Sequence, residues 1–366
     1  MSGGELSMLR NRPPTRPETA LRLIDNAGSE NTARSPERYM ASQETPSGTG
    51  LQVDLRPAAR RCLICQNEEG NRTLTVRERM FGMQESFPYL HCGACGVLQL
   101  AEVPADLSRY YPAEGYYSVN RRPGLLKRWA TLTRDGAYTR RSMFGRWLQR
   151  QFPNTALDAT LRAAARPDTR ILDVGCGGGD LLHSLARLGF KHLHGVDPLL
   201  DESTISDDGV HLMAGELNGV EGQYDLIMFH HSLEHMAEQV SVLEHARARL
   251  AAGGVIVVRI PTCESLAFDA YGAEWFQIDA PRHLFLHTHR SIRRVASRSG
   301  LAVEKIYCDS QPMQFWASDM YKDDVTLTST KMAQYKRRRP AFYRELAAFL
   351  NVHLRGDQIV VHLRAS

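Results

Sequence analysis

The stretch Ile171-Leu-Asp-Val-Gly-Cys-Gly-Gly-Gly-Asp-Leu-Leu182 decides the fold class of this chain. Its first four residues form a short, mainly apolar run that predicts a strand. The glycines that follow let the backbone turn sharply and approach a ligand with no Cβ in the way. The helix that begins after them offers unpaired N–H groups and a positive dipole end to such a ligand. The stretch therefore predicts a strand, a ligand-binding turn and a helix.

The spacing of the glycines and acids narrows down the ligand. Asp197 ends the next apolar run, where an acidic residue takes ribose hydroxyls in an open α/β sheet. A dinucleotide-binding fold wants G-x-G-x-x-G, but the third glycine of that pattern would fall on Asp180. The pattern present, Asp173-x-Gly-x-Gly-x-Gly179, resembles motif I of the class I S-adenosylmethionine-dependent methyltransferases.

This resemblance implies a cofactor and the residues that hold it. In that family the glycine loop holds the methionine end of S-adenosylmethionine, and the acid after the second strand holds the ribose. The implied cofactor-binding residues are Asp173, Gly175, Cys176, Gly177, Gly179, Asp197, Glu216 and His230. The alternative is a glycine-rich turn without a ligand.

Composition limits the class of protein. The chain has 366 residues, enough for two domains, and its 43% hydrophobic and 23% charged residues are ordinary for a globular protein. The net charge of +4 is too small to demand a nucleic-acid partner. No apolar run approaches the ~20 residues that span a bilayer, and Met1–Ser7 lacks the apolar region of a signal peptide. We therefore expect a cytoplasmic protein.

The chain is expected to have four parts. Residues 1–57 are rich in Pro, Ser, Thr and charged residues and predict a disordered extension. Residues 58–105 contain two cysteine pairs, and residues 106–168 predict a helical linker. Residues 169–366 predict the methyltransferase domain, with an inserted cap over 309–356.

Strand and helix signals alternate from position 170 onward, which predicts a parallel sheet with crossover helices. The predicted strands are 170–174, 192–196, 210–213, 224–230, 255–260, 301–308 and 357–364. The predicted helices are 180–188, 238–250, 289–299 and a helix over 329–352 that is interrupted near Pro340. The expected fold class is α/β, with a Rossmann-like, seven-stranded, mostly parallel sheet whose last strand is antiparallel, preceded by a small four-cysteine zinc ribbon.

The two C-x-x-C pairs predict a metal site. They comprise Cys62, Cys65, Cys92 and Cys95, and four thiolates suit structural zinc in a closed tetrahedral site. An iron–sulfur cluster is the alternative, because four thiolates also bind iron. Whether the ribbon also binds substrate is open at this point.

Two histidine-bearing segments are candidates for catalysis. His231, Glu234 and His235 follow the strand 224–230, so the open-sheet rule predicts that they lie beside the methyl group of the cofactor. Asp279 and His283 lie in the loop after strand 255–260, where a carboxylate beside a histidine suits a general base. The structural alternatives are helix capping for the first segment and a packed loop with a satisfied histidine for the second.

Two basic stretches permit several interpretations. Residues 121–150 hold nine Lys/Arg against one acid with apolar residues interleaved, and Lys336–Arg339 forms a second cluster. They suit a solvated helix face, a surface for the phosphates of a nucleotide-linked substrate, or a peripheral membrane or nucleic-acid contact.

Taken together, residues 58–366 resemble the bacterial methyltransferases with an N-terminal zinc ribbon, a group that includes sugar C-methyltransferases and enzymes of polysaccharide and natural-product pathways. The resemblance implies a small-molecule or glycan acceptor, such as a nucleotide-linked sugar. The alternative is an RNA methyltransferase that uses the ribbon to bind nucleic acid, which the modest net charge and the absence of an Asn-Pro-Pro-Tyr-type motif disfavour. A non-catalytic adaptor is disfavoured by the intact Asp173 and Asp197. No motif identifies one acceptor.

Overall fold

A computed structural model describes residues 61–111, 153–163 and 166–366, together with five single positions between 133 and 147. The expected extension over 1–57 and almost all of the basic stretch 121–150 lie outside the described residues. In the part of the chain that is described, no helix is both long and apolar enough to cross a membrane. The cytoplasmic location stays a prediction.

The described residues form strands and helices close to those predicted from position 170 onward. The strands are β1 (Arg72–Arg77), β2 (Ser86–His91), β3 (Leu98–Leu100), β4 (Arg170–Val174), β5 (His192–Asp197), β6 (Thr204–Ile205), β7 (Val210–Ala214), β8 (Tyr224–His230), β9 (Leu250–Pro261), β10 (Phe285–Leu286), β11 (Leu301–Cys308) and β12 (Gln358–Ala365). The α-helices are α1 (Thr155–Ala163), α2 (Asp180–Arg187), α3 (Gln239–Ala248), α4 (Leu266–Tyr271), α5 (His289–Arg298), α6 (Met313–Lys322), α7 (Met332–Arg337) and α8 (Pro340–Val352).

The chain divides into two compact units. The cysteine unit extends to Val103 and includes Pro261–Ser291 and Tyr307–Gln358. The second, which we call the glycine-loop unit, comprises Pro104–Ile260, Ile292–Ile306 and Ile359–Ser366.

The glycine-loop unit is built on an eight-stranded sheet in the order β11-β12-β9-β8-β4-β5-β7-β6. β4 pairs in parallel with both β5 and β8. Strands that come later in the chain extend the sheet on both sides of β4. The sheet therefore has its switch point at the carboxyl end of β4, which is where open α/β sheets bind ligands. The last predicted strand lies beside the 301–308 strand, since β12 and β11 are neighbours.

The prediction of seven strands is wrong by one. β6 pairs antiparallel with β7 and forms an extra edge strand, with Thr204 opposite Leu212. The two residues of β6 are both exposed and too few to show a periodic pattern, so no local pattern predicts this strand. Gly209, with a φ of +79°, lies in the turn that joins the two strands.

Burial explains why the central strands form where they do. The middle of β8, Leu226–Phe229, is completely buried, as are Ile171 and Leu172 of β4. Parallel strands covered on both faces read as continuous apolar runs rather than as alternating ones. These runs were therefore the strongest strand signals in the sequence.

The cysteine unit contains a four-stranded sheet in the order β1-β2-β3-β10. β10 comes from a distant part of the chain, and Phe285 pairs with Gln99 of β3. The helix predicted over 329–352 is two helices, because Arg339 adopts a left-handed φ of +47° between α7 and α8. Pro340 then begins α8, where its missing N–H costs nothing.

Candidate cofactor, catalytic and metal sites

The glycine loop takes a backbone path that other residues would strain. Gly175, Gly177 and Gly179 have φ values of +77°, +52° and +77°. Gly179 precedes the first residue of α2, so the loop leads directly into the helix N-terminus. A Cβ on Gly175 would lie 2.4 Å from the Cβ of Ser232. The glycine spacing in the sequence is therefore a requirement of backbone conformation and close packing.

Asp197 connects the end of β5 to this loop. Its Oδ2 accepts a hydrogen bond from the Gly177 N–H at 2.8 Å, and its Oδ1 accepts one from the Leu199 N–H at 2.8 Å. A carboxylate has about four lone-pair sites, so two backbone bonds leave capacity for ligand hydroxyls. The acid thus orders the loop and remains able to accept hydrogen bonds from a ligand.

Asp173 is a buried acid at the base of the loop. Its Oδ1 has no hydrogen-bond partner among the described residues. Burial raises the pKa of Asp173 to about 7, and the nearby negative charge of Asp197 adds to the shift. An unpaired buried carboxyl oxygen is expensive, so this position favours a ligand that donates hydrogen bonds or carries positive charge.

Two further residues that the resemblance implied lie at the carboxyl ends of strands of the same sheet. Glu216 is exposed just after β7. His230 ends β8, and its Nε2 lies 3.1 Å from the Thr160 hydroxyl. Burial, together with the charge of Arg259, holds the pKa of His230 well below its ordinary value. His230 is therefore neutral at physiological pH.

His231 and Glu234 form a pair in the turn after β8. The Nδ1 of His231 lies 3.2 Å from Oε1 of Glu234, whose side chain is fully buried, whereas the imidazole is partly exposed. His231 has a left-handed φ of +53°, and its N–H donates to the Arg259 carbonyl at 2.9 Å. A carboxylate that faces Nδ1 favours the tautomer with the proton there and a basic lone pair on Nε2.

Ser232 connects this turn to the glycine loop. Its hydroxyl donates to the Val174 carbonyl at 2.6 Å, directly before the loop begins. His235, in the same turn, faces the hydroxyl of Tyr111, with 3.2 Å between that oxygen and Nδ1. The structure thus brings His231, Glu234 and His235 together in the glycine-loop unit.

Asp279 and His283 lie in the cysteine unit, and each makes a shorter contact with another group than the one between them. The carboxylate of Asp279 accepts hydrogen bonds from Arg282 at 2.6 and 3.0 Å, whereas its distance to His283 Nε2 is 3.9 Å. His283 donates from Nδ1 to the Gln277 carbonyl at 2.7 Å. A backbone carbonyl therefore orients the histidine, and an arginine binds the acid.

The residue pattern did not predict two arginines that position these groups. Arg282 is completely buried and also binds Glu78 at 3.0 Å. Arg259 donates to Thr155 and provides the carbonyl that holds His231. Each arginine is a charged residue within an otherwise apolar or loop segment, and this contrast could have indicated that it has a buried partner. Their distant partners, Glu78 for Arg282 and Thr155 for Arg259, could not be predicted from local sequence.

The four cysteines converge in the cysteine unit. Their sulfur atoms all lie within 4.8 Å of one another, with 3.6 Å between Cys62 and Cys95 and 3.5 Å between Cys65 and Cys92. A zinc–sulfur bond of about 2.3 Å gives a tetrahedral edge of about 3.8 Å, so the sulfur spacing fits zinc. The hydrogen bond with Cys95 lowers the pKa of Cys62 to about 5.

The two cysteine pairs lie in matching turns. The residue after each pair has a left-handed backbone, with a φ of +65° at Gln66 and +75° at Gly96. In both turns its N–H donates to the carbonyl of the first cysteine, at 2.8 and 3.0 Å. The two turns present their sulfur atoms in the same way, as a shared metal ion requires.

Comparison with known proteins identifies the class of the central region. Residues 144–306 match the family model described as a methyltransferase domain. A ubiquinone biosynthesis O-methyltransferase from Hahella chejuensis is 36% identical over 142 residues, which are 34% of this chain and 58% of that protein. The mitochondrial enzyme of the same description from Saccharomyces cerevisiae is 35% identical over 96 residues, 23% of this chain and 31% of that protein. The chain thus spans only 31% to 58% of the length of these relatives.

Among solved structures, the magnesium protoporphyrin IX methyltransferase of Synechocystis PCC 6803 is 13% identical. The match has a TM-score of 0.37 and covers 70% of this chain and 92% of that chain.

Proposed function

We propose that this protein, whose residues 144–306 match the methyltransferase domain model, transfers the methyl group of S-adenosylmethionine to a small molecule. The observation that carries the proposal is the glycine loop between Asp173 and Asp197, at the switch point of the parallel sheet. Both acids and the loop fall inside the matched region.

The residues present fit S-adenosylmethionine. The unpaired, buried Oδ1 of Asp173 suits the cationic methionine end, because that end brings hydrogen-bond donors and positive charge. Asp197 keeps lone pairs for the ribose hydroxyls after its two backbone bonds. We assign Gly175, Cys176, Gly177 and Gly179 to the loop around the cofactor. Two further contacts, Glu216 and His230, are also part of this assignment.

When bound, the cofactor supplies a sulfonium methyl group that is already a strong electrophile. The protein then has two tasks, which are to align the acceptor and to remove one proton from it. We assign proton removal to His231, because the buried carboxylate of Glu234 faces its Nδ1 and leaves Nε2 as the base. Ser232 holds this turn against the end of β4. His235, Asp279 and His283 are the other histidine and acid candidates.

Two arguments support the proposed methyl acceptor. The two relatives described above carry names of O-methyltransferases, and an oxygen acceptor needs only a base. The zinc-ribbon resemblance favours a sugar, a nucleotide-linked sugar or another glycan intermediate. We also propose that Cys62, Cys65, Cys92 and Cys95 hold a structural zinc ion, on the strength of their sulfur spacing.

Binding and turnover test this function separately. Calorimetry with S-adenosylmethionine should show binding to the full chain, and the methyl-labelled cofactor should transfer its label to a member of a panel of sugar nucleotides and phenols. A chain that does not bind the cofactor would rule out the proposal. RNA binding that weakens steeply with salt, together with labelled RNA, would favour the RNA methyltransferase alternative.

Asp197→Ala is expected to weaken the binding of S-adenosylmethionine about 10- to 150-fold. This range corresponds to the ~1.5–3 kcal/mol typical of a hydrogen bond to a charged group. Asp207→Ala, which removes an exposed acid of the same unit, is the matched control and should leave affinity unchanged. Calorimetry on both variants measures the difference. Equal affinities would contradict the ribose role of Asp197.

His231→Ala is expected to lower kcat by about 10²- to 10⁴-fold, the usual contribution of a general base. The dissociation constant of S-adenosylmethionine should remain near the wild-type value, because the base acts on the acceptor. His235→Ala and His283→Ala serve as comparisons in the same steady-state assay. If either of these lowers kcat more than His231→Ala does, the assignment of the base moves to that residue.

A further inference from the structure

A distant part of the chain holds the second cysteine turn, residues 92–96. We call this part, residues 284–290, the clamp segment. It contains β10, which pairs with the strand that follows the turn, β3, and places Leu286 opposite Leu98. The N–H of Leu100 adds a hydrogen bond of 2.8 Å to the Leu284 carbonyl. The clamp segment is therefore bonded to the strand into which the turn leads.

Two side chains of the clamp segment also hold the backbone of the turn itself. The Thr288 hydroxyl donates a hydrogen bond to the Cys95 carbonyl at 2.7 Å. The guanidinium of Arg290 donates to the Ala94 carbonyl at 2.8 Å. The methyl group of Thr288 lies so close to the turn that a Cβ on Gly96 would be 2.9 Å from it. The clamp segment thus fixes the backbone of one proposed metal ligand and of the residue before it.

Thr288 can hold the turn because its hydroxyl group has two separate functions. The Ser291 N–H donates to Thr288 Oγ1 at 3.0 Å, and the Thr288 N–H donates to Ser291 Oγ at 2.8 Å. These are the bonds of a helix N-cap, and α5 begins at the next residue, His289. They use the hydroxyl oxygen of Thr288 as an acceptor, so its proton remains for the Cys95 carbonyl.

The first cysteine turn is attached to the same strand. Its Leu63 N–H donates to Oε1 of Gln99 at 2.9 Å. Gln99 is a buried residue of β3 and lies opposite Phe285 of the clamp segment. Both cysteine turns and the clamp segment therefore meet at β3. A metal ion that joins the four sulfur atoms also fixes the strand with which the clamp segment pairs.

The clamp segment directly follows the loop that contains Asp279 and His283, which we call the candidate loop. The hydroxyl of Tyr89, a completely buried residue of β2, donates to the His283 carbonyl at 2.9 Å. Tyr89 also pairs with Leu100 of β3. The second cysteine turn joins β2 to β3, so the candidate loop is bonded to the strands on both sides of that turn.

We propose that metal binding by the four cysteines positions the clamp segment and, with it, the candidate loop, and that Thr288 and Arg290 are the positioning residues that connect them. The inference rests on the proposed zinc site and gives that site a role in the candidate catalytic region. β10 has only two residues, so its position depends on the fixed turn beside it. Coupling between two sites is reciprocal, so the two clamp residues also raise the affinity for the metal.

Zinc affinity tests this coupling on the full chain with all four cysteines intact. In competition with a chelator of known zinc affinity, Thr288→Val and Arg290→Ala are each expected to weaken zinc binding about 3- to 10-fold, because each removes one hydrogen bond to the turn. The double variant should lose about 10- to 100-fold, if the two effects are independent. Thr288→Ser keeps the hydroxyl and should restore the affinity to near the wild-type value.

Two matched controls separate this role from a general loss of stability. Ser265→Ala removes the N-cap of α4 in the same unit, where the hydroxyl accepts from the Phe268 N–H at 3.1 Å. Arg294→Ala removes another exposed arginine of α5. Ser265→Ala should lower Tm, as Thr288→Val should, because both lose a helix cap. Both control variants should keep the wild-type zinc affinity.

Hydrogen exchange on the zinc-loaded proteins measures the effect on the candidate loop. In the double variant, the amides of residues 277–287 and of Leu100 should exchange about 3- to 10-fold faster than in the wild type, whereas β1 should keep its protection. Wild-type zinc affinity in the double variant, or wild-type exchange over residues 277–287, would overturn this inference alone. A wild-type protein that holds no metal would overturn the proposed zinc site and this inference with it, and calorimetry with S-adenosylmethionine tests the methyltransferase proposal separately.

Discussion

Cys62→Ser is expected to abolish zinc binding and to unfold the part of the protein around the four cysteines. A structural zinc site contributes an apparent ~10–16 kcal/mol, which is comparable with the whole net stability of a typical domain at about 5–15 kcal/mol. Cys62 is completely buried, and its sulfur is 3.6 Å from that of Cys95, so serine leaves three ligands around a closed site. Zinc content should fall from about one per chain to a small fraction, with loss of circular dichroism signal from the cysteine unit.

Cys308→Ala is the matched control for this prediction. Cys308 is a buried thiol of the same unit, and its sulfur contacts the Gly356 carbonyl rather than another cysteine. This variant should keep full zinc content and a cooperative thermal transition. Elemental analysis that finds iron, with visible absorbance, would instead support the iron–sulfur alternative. A Cys62→Ser protein that folds and retains zinc normally would show that the four sulfur atoms are not the ligands.

Gly175→Ala is expected to weaken S-adenosylmethionine binding more than 100-fold and to lower Tm. Two costs combine in this substitution. The first is the left-handed φ of +77°, which costs a non-glycine residue about 1–2 kcal/mol. The second is the new Cβ, which would lie 2.4 Å from the Ser232 Cβ and must displace either that turn or the loop. Calorimetry and thermal unfolding measure the two effects.

Gly209→Ala separates the two costs. Gly209 has a φ of +79°, almost the value at Gly175, but a Cβ there would meet nothing within 4 Å. It should therefore show only the conformational cost, as a modest decrease in Tm with unchanged cofactor affinity. If Gly175→Ala and Gly209→Ala behave alike, the close approach of the loop to Ser232 is unimportant for binding.

The sequence predicted the glycine-loop unit better than the cysteine unit, for a physical reason. β4 and β8 have the bounds that the sequence predicted, because strands buried on both faces need long apolar runs that stand out locally. β6 was missed because two exposed residues at a sheet edge need no such run. In the cysteine unit, Phe285 joins a strand from nearly two hundred residues earlier, and no local pattern encodes that pairing.

In the candidate site, too, some features could be predicted from local sequence and others could not. The spacing around Asp173 predicted the cofactor loop, because the left-handed positions at Gly175, Gly177 and Gly179 allow little except glycine. The partner of each histidine was harder to predict. Glu234, which faces His231, is three residues away, but the group that orients His283 is the carbonyl of Gln277, which carries no side-chain signature.

By itself, the sequence indicated S-adenosylmethionine as the methyl donor, because the backbone conformation of the glycine loop limits which residues can stand there. It also predicted the cluster of four cysteine sulfur atoms, because a C-x-x-C pair is a local turn. Only the tertiary structure decided which polar groups have no partner among the described residues, such as Asp173 Oδ1. The physical reason is that hydrogen-bond satisfaction depends on segments that meet only after folding.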